Sequence, residues 1–376
     1  MIFTYLLYVF VAVVAIQFLY YVIIFGRFSF SKPKTHPENN QAVTVIICAK
    51  NESENLKEKL EHFANQQYPK FELVLINDRS TDDTLEVLEW FKETYEERLN
   101  YRNITIKIVN VQENEQFWGS KKYALSLGIK AASNELLLLT DADCEPISPF
   151  WIQEMVAGFS VDKSIIIGYS GYRFIKNSFL NKIIRFETLM TAIQYFSYAK
   201  YGMPYMGVGR NLAYTKTQFF EARGFADHMH LRSGDDDLFI NQIATKKNTE
   251  VCFSSNSFTI SEPKTSLKDW TLQKRRHIST ASYYKFHHKF LLGLFYLSQI
   301  SFWIFAVILL IFQYKLFWIL GIIGFRFLFT FIIIGLSAKK LNEKKLVLLS
   351  PILELFLILS QLKFYIHNLI SKPKHW

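Results

Sequence analysis

The sequence predicts an α/β domain on a mostly parallel sheet, set between apolar segments long enough to cross a membrane. Three observations carry this. Between residues 43 and 170, short apolar runs alternate with amphipathic stretches of helical length. Residues 1–26 and the region beyond Lys289 are instead almost continuously apolar and aromatic. Finally, the triplet Asp141-Ala142-Asp143 closes the run Glu135-Leu136-Leu137-Leu138-Leu139-Thr140. A strand apolar on both faces belongs at the centre of a parallel sheet, and open α/β sheets bind ligands at the carboxyl edge of such strands. Two carboxylates that close together repel unless a cation or strong donors stand between them. A hard divalent ion shared with phosphate oxygens suits them; a solvated turn after the strand is the alternative.

In chain order, residues 1–26 carry no charge before Arg27. They match the ~20 apolar residues that a bilayer core requires of a helix. A basic start and a small-residue cleavage site are both missing, so the segment reads as a membrane helix and not a removable signal. Residues 27–42 form a linker, polar and proline-bearing from Ser31 onward. Strands follow at 43–48, 71–76, 104–110, 135–140 and 164–170, with helices at 53–66, 82–97, 120–132 and 149–159 between them. Alternation at these lengths, with right-handed crossovers, makes a doubly wound sheet of the nucleotide-binding type. The soluble domain then runs over 43–288, in a regular half (43–175) and a less regular one (176–288). In the second half, Phe179, Ile183, Ile184, Phe186, Leu189, Ile193 and Phe196 fall at helical spacing, a stripe expected to pack in a core or at a membrane interface. Residues 289–370 hold about three further spans, near 290–312, 316–336 and 346–367.

Charge supports the same layout. The 376-residue chain has 43 Lys and Arg against 33 Asp and Glu, a formal net charge of +10. The excess forms no nucleic-acid stripe. It clusters beside the apolar segments (Arg27, Lys32, Lys34; Lys285, Lys289; Lys339, Lys340, Lys344, Lys345), as at a cytoplasmic face rich in anionic lipid. The expectation is a multi-pass protein of the cell membrane with its soluble domain in the cytoplasm. Four spans would put the tail Ser371-Lys372-Pro373-Lys374 on the far side, so the last segment either spans or lies in the interface. Cys48, Cys144 and Cys252 lack ligand-like spacing and point to a reducing compartment without disulfides. Arg326 and Glu354 fall inside predicted spans, roughly 12–15 Å deep at about 1.5 Å per residue. An unpaired charge there costs at least ~2.5–3.5 kcal/mol, so the two are expected to pair. In the rival arrangement Glu354 pairs with Lys363 or water while Arg326 faces an acceptor lipid's polar group.

Six ordered segments carry the chemistry. They are VTVIICAKNESENL from Val43 to Leu56, the run from Val74 to Thr84 containing Asn77-Asp78, and Gly119-Ser120-Lys121-Lys122-Tyr123-Ala124-Leu125. The Asp-Ala-Asp triplet, Ser233-Gly234-Asp235-Asp236-Asp237-Leu238 and Trp270-Thr271-Leu272-Gln273-Lys274-Arg275-Arg276-His277 complete the set. Each alone has a plain structural reading. Glu52 is an acid at a helix start, Asp82 and Asp83 are caps, 235–237 is an acidic loop, and 274–276 is a basic surface patch. In this order, over roughly residues 43–280, they resemble the membrane-bound inverting glycosyltransferases of family 2. That group includes cellulose, chitin and hyaluronan synthases and ceramide glucosyltransferases.

The resemblance implies a GT-A-type nucleotide-sugar-binding domain with attached transmembrane helices. It implies that Glu52 meets the base or ribose, that Asp78 meets uracil, and that Lys121 contacts the donor. Asp141 and Asp143 then hold Mg²⁺ or Mn²⁺ against the diphosphate, with Asp141 counted on the donor side as well. The triplet Asp235-Asp236-Asp237 matches the family's ED motif, whose aspartate is the general base. Alignment as ED-x-x-L selects Asp236, which is the expected base, and alignment as ED-x-D-L selects Asp235 as the alternative. Gln273 and Arg276 match QxxRW, with Arg276 toward the diphosphate, a task suited to a rigid guanidinium fork. His277 stands where the family has tryptophan. Expected partners are a nucleotide-sugar, a UDP-sugar first, together with membrane lipid and a lipid or glycan acceptor. Nucleic acid is not among them. The expected reaction is one inverting transfer, EC class 2.4. Because of His277 and the few spans, short transfer is favoured over processive polysaccharide synthesis. A nucleotidyltransferase or an inactive binding subunit is the reading from another class, opposed by the intact acidic triplet.

Overall fold

The computed structural model describes residues 1–100, 103–112, 121–231 and 233–371. Gly119 and Ser120 of the lysine segment, the first residue of the predicted helix 120–132, and Lys372, Pro373 and Lys374 of the tail lie outside the described residues. The chain divides into two compact units, one of residues 33–174 and 202–263, the other of residues 1–32, 175–201 and 264–376.

The first unit is the α/β domain. Strands β1 (Val43–Ala49), β2 (Phe71–Asn77), β3 (Ile104–Asn110) and β4 (Leu136–Asp141) lie parallel in the order β3-β2-β1-β4. Every residue of β1 and β2 is buried, and both read as mostly apolar runs in which Thr44, Glu72 and Asn77 are the polar members. Helices Ser53–Ala64, Thr84–Asn100, Lys121–Ala131 and Trp151–Val156 supply the crossovers and flanking layers. One core, including Val45, Leu56, Leu60, Phe63, Leu75, Leu88 and Trp151, joins the sheet to its helices. Helix Lys121–Ala131 lies so close to β2 that a Cβ on Gly128 would sit 2.2 Å from Ile76 Cδ1.

The sheet continues past β4 with three short strands. They are β6 (Ile165–Ile167), β8 (Leu212–Thr215) and β9 (Thr249–Val251), with β8 antiparallel to both β4 and β6. A second sheet, β5 (Cys144–Pro146), β10 (Thr259–Ser261) and β7 (Ser170–Tyr172), starts directly after the Asp-Ala-Asp turn. The predicted strand 164–170 is therefore two strands in two sheets. Gly168 makes the break: its N–H bonds the Asn211 carbonyl at 3.0 Å, and a Cβ there would meet the Asn211 side chain at 2.6 Å. The predicted helix 149–159 is shorter, Trp151–Val156.

The second unit is helical. Residues Ile2–Ser29, Phe286–Ile311, Leu316–Lys340 and Lys344–Ile370 form four helices long and apolar enough to cross a membrane. The predicted stripe lies on helix Phe179–Tyr201, where Ile183, Ile184, Phe186, Leu189, Ile193 and Phe196 are buried. Phe28 stacks on Phe196, and Lys340 Nζ donates to the carbonyls of Phe28, Ser29 and Ser31.

Arg326 and Glu354 are paired, as their shared depth required. Each of the four long helices contributes to their surroundings. Arg326 Nε donates to Gln17 Oε1 at 2.9 Å, Gln299 Nε2 to Glu354 Oε1 at 3.0 Å, and Gln17 Nε2 to the Ser298 carbonyl at 2.9 Å. The guanidinium also lies over the Phe302 ring, 4.6 Å from its centroid. All three cysteines are free.

Candidate active site

The parallel register brings the carboxyl ends of β1, β2 and β4 to one edge, with Ala49 beside Asn77 and Cys48 beside Asp141. The loops that leave β1 and β2 each carry, as their second residue, a non-glycine residue in left-handed backbone, Asn51 (φ 55) and Arg79 (φ 54). Such residues are uncommon and collect at functional sites. The loops are laced together: Asn51 N–H donates to Ser80 Oγ at 3.0 Å, and Thr81 N–H to Asn51 Oδ1 at 2.8 Å. Asp78 is only 3% exposed and accepts from Arg79 Nε at 2.8 Å and Nη2 at 2.5 Å. Glu52 precedes helix Ser53–Ala64 but makes no side-chain cap bond to it. Its carboxylate instead accepts from Asn55 Nδ2 at 2.6 Å. The capping work falls to Asp82, which takes Ser53 N–H at 3.2 Å and Thr84 N–H at 3.1 Å.

Three chain segments converge at the end of β4. Lys121 Nζ donates to Asp141 Oδ1 at 2.5 Å and stands 3.6 Å from Asp235 Oδ2. Burial opposes the lysine's charge, yet Asp141 and Asp235 outweigh it and hold the ammonium well above the usual lysine pKa. Asp143 is pushed upward by burial and by Asp141, while Arg210 pulls it back. Such a carboxyl pair, crowded and all-oxygen, fits a hard divalent ion that takes its remaining ligands from phosphate and water. Among the described residues no third carboxylate, histidine or cysteine joins the pair as a metal-ligand cluster.

Two braces of this turn were not anticipated from the sequence. Buried Lys59 donates to the Asp143 carbonyl at 2.8 Å and to Asn55 Oδ1 at 2.9 Å. A lysine flanked at helical spacing by Leu56 and Phe63 is the signal that could have found it. Arg210 lies over the Tyr172 ring at 4.3 Å and donates to Ser261 Oγ at 3.1 Å, while its carbonyl accepts from Thr140 Oγ1 and Thr259 Oγ1, each at 2.9 Å.

The acidic triplet is sorted by its backbone. Asp236 caps helix Asp237–Ile243, with Oδ1 accepting from Asp237 N–H at 2.7 Å and Oδ2 from Gly209 N–H at 2.8 Å. Burial, then Asp235 and Asp237, push its carboxyl up to about 8. Asp237 is buried and accepts from Leu238 N–H at 2.8 Å. Asp235 is the member turned to Lys121.

Residues 44–229, the segment holding this edge, match the family model described as Glycosyl transferase family 2. The chain carries a family 2 glycosyltransferase domain. Among curated proteins it is similar to poly-beta-1,6-N-acetyl-D-glucosamine synthase of Staphylococcus epidermidis, 29% identical over 32% of this chain and 27% of the relative. It is also similar to the protein of that name from Staphylococcus aureus strain COL, 30% identical over 45% of this chain and 38% of the relative. The matched segment thus spans well under half of either relative. Among solved structures it resembles mannosyltransferase PcManGT from Pyrobaculum calidifontis in complex with GDP-Man and Mn²⁺, with a TM-score of 0.60 and 17% identity over 91% of this chain and 99% of that one. At that identity the likeness concerns the fold alone, and the expected GT-A-type fold holds.

Gln273 and Arg276 belong to the helical unit, on helix Leu267–Thr280. Ser266 caps this helix by accepting from Asp269 N–H at 3.1 Å. Trp270 is buried against Phe364 of the last long helix, 5.4 Å between ring centroids. Arg275 donates to Asn368 Oδ1 at 2.9 Å, Asn368 returns a bond to the Arg275 carbonyl at 2.9 Å, and Lys274 pairs with Glu187 at 2.5 Å. Gln273 and Arg276 are partly exposed and His277 is exposed.

Proposed function

We propose that the protein is a multi-pass membrane enzyme that transfers a sugar, with inversion, from a nucleotide-sugar to a lipid or glycan acceptor at the cytoplasmic face. The convergence of Lys121, Asp141 and Asp235 at the carboxyl edge of a family 2 domain carries this reading. Asp78 and Glu52, on the neighbouring loops, bind the nucleoside and Lys121 binds the diphosphate; Gln273 and Arg276 are assigned to the donor only by their match to the QxxRW motif. Asp141 and Asp143 hold Mg²⁺ or Mn²⁺, which when bound neutralises charge on the departing nucleoside diphosphate. The acceptor hydroxyl oxygen attacks the anomeric carbon opposite the leaving oxygen and gives its proton to an aspartate. One bond forms as the other breaks, so an α-linked donor yields a β-linked product.

For the base we propose Asp235, because geometry ranks before pKa and Asp235 is the carboxylate standing among the donor-site charges. Asp236, the choice under the other alignment, remains a second reading favoured by its rise to about 8, which suits a proton acceptor near neutral pH. Asn variants of each, assayed for UDP binding and turnover, separate the two: the base variant binds UDP and fails to turn over.

His277 in place of tryptophan supports short transfer, whereas the names of the Staphylococcus relatives favour a polymer. Those names also make UDP-N-acetylglucosamine the first donor to try. Purified full-length protein should release UDP from it or from another UDP-sugar, and product length then distinguishes the two outcomes. Absence of turnover across a panel of nucleotide-sugars with membrane lipid present would refute the transferase reading.

A further inference from the structure

We infer that Lys122 is the positioning residue of the acidic loop, its ammonium serving as a fixed cation that gathers three backbone carbonyls and so sets Asp235 opposite Lys121. Lys121 and Lys122 open helix Lys121–Ala131. Adjacent helical side chains point in different directions. Lys121 reaches the end of β4, while Lys122, at 0% exposure, donates to the carbonyls of His228 at 2.7 Å, Leu231 at 2.9 Å and Ser233 at 2.7 Å. An ammonium has three donors and no acceptor capacity, so these bonds use it completely.

The loop needs such an anchor. Between the short turn Ala226–His228 and helix Asp237–Ile243 the described residues include no strand to hold it. The last anchored carbonyl, on Ser233, is followed by Gly234 at φ +98, where a Cβ would also meet Leu238 Cδ1 at 2.4 Å. Asp235 comes next. Its place is therefore fixed on one side by Ser233 on Lys122 and on the other by Asp236 on Gly209 N–H. Burial works against the Lys122 charge and lowers its pKa, with the three aspartates offsetting part of the loss. Apolar packing would fill the same space without that cost but would leave the carbonyls ungathered.

The kinetic part of the test rests on the proposed transfer reaction; the exchange part does not. In Lys122→Met the three bonds and the charge are lost while Asp78, Lys121 and Asp141 stay in place. A misplacement on the order of 1 Å costs about 100-fold in rate. In full-length protein purified in detergent with lipid, kcat with UDP-N-acetylglucosamine should fall about 100-fold, and the Kd for UDP should stay within about threefold of wild type. Hydrogen–deuterium exchange should rise in residues 226–236 and stay unchanged in β1 and β4. The assignment is overturned if kcat stays within threefold of wild type, if UDP affinity falls in step with kcat, or if exchange rises across the sheet or nowhere. If the wild type turns over no nucleotide-sugar, the transfer reading fails. The exchange pattern still decides whether Lys122 holds this loop.

Discussion

Neutralising Glu354 should loosen the helical unit by about 3 kcal/mol. Glu354 is 3% exposed and Arg326 0% exposed, so neither charge has water to fall back on. Breaking a buried pair by removing one partner costs ~3–5 kcal/mol, because the remaining charge is left uncompensated. Glu354→Gln keeps an oxygen that can accept from Arg326, and Arg326 Nε retains Gln17 Oε1. These residual bonds place the loss at the lower end of that range. It is close to the ~2.5–3.5 kcal/mol assigned to one uncompensated charge at mid-bilayer. At ~1.4 kcal/mol per decade, about 3 kcal/mol is a factor on the order of 100 in the folded-to-unfolded ratio. The assay is SDS titration of the protein in mild-detergent micelles, followed by tryptophan fluorescence, since Trp303 and Trp318 lie on two of the helices. The exchanged pair Arg326→Glu with Glu354→Arg should recover about half of the loss, limited by the glutamines now facing the wrong charges. A Glu354→Gln variant within about 0.5 kcal/mol of wild type, together with an exchanged pair no better than either single variant, would refute the reasoning.

Three further outcomes are expected. Asp143→Asn and Asp141→Asn should each lower turnover by about 100-fold and abolish its dependence on added Mg²⁺ or Mn²⁺; full activity of Asp143→Asn in EDTA would remove the pair from the metal's ligand set. Asp236 has a folded-state pKa of about 8 against an ordinary value of 3.8, so between those values the folded chain holds a proton that the unfolded chain releases. Its contribution to stability is therefore present below about pH 4 and lost as pH rises through about 8. The melting-temperature difference between Asp236→Asn and wild type should thus shift in the variant's favour from pH 6 to pH 9, and a difference that ignores pH contradicts this. Gly128→Ala gains helix propensity of ~1 kcal/mol but drives a methyl into Ile76, a clash costing ~1–3 kcal/mol. The expected net result is a lower melting temperature, and a rise would show that Ile76 gives way freely.

Most of the sheet could be read from the chain because burial on both faces writes itself as mostly apolar runs, six of seven residues in β1 and five of seven in β2, bounded by polar turns. The split at Gly168 was invisible for the same reason, since β6 and β7 are each buried throughout and differ only in which sheet receives them. Pairing Arg326 with Glu354 followed from depth alone, but Gln17 and Gln299 did not, because a neutral amide on an apolar helix carries no signal of which neighbour it faces. The hardest cases were adjacent residues of like charge. Lys121 reaches two carboxylates while Lys122 is committed to three carbonyls. Asp235 meets Lys121 while Asp236 is captured by two backbone N–H groups. Arg275 is bound to Asn368 and Ser371 at the end of the last helix, with Arg276 next to it on the same turn. Motif spacing identifies each pair but cannot divide it, because one residue along a helix or a tight turn swings the side chain to a different neighbour. That division is set by where unpaired backbone groups happen to lie, which is a property of the folded loops. In this domain the member of each lysine and aspartate pair that binds only backbone holds in place the member that meets charge.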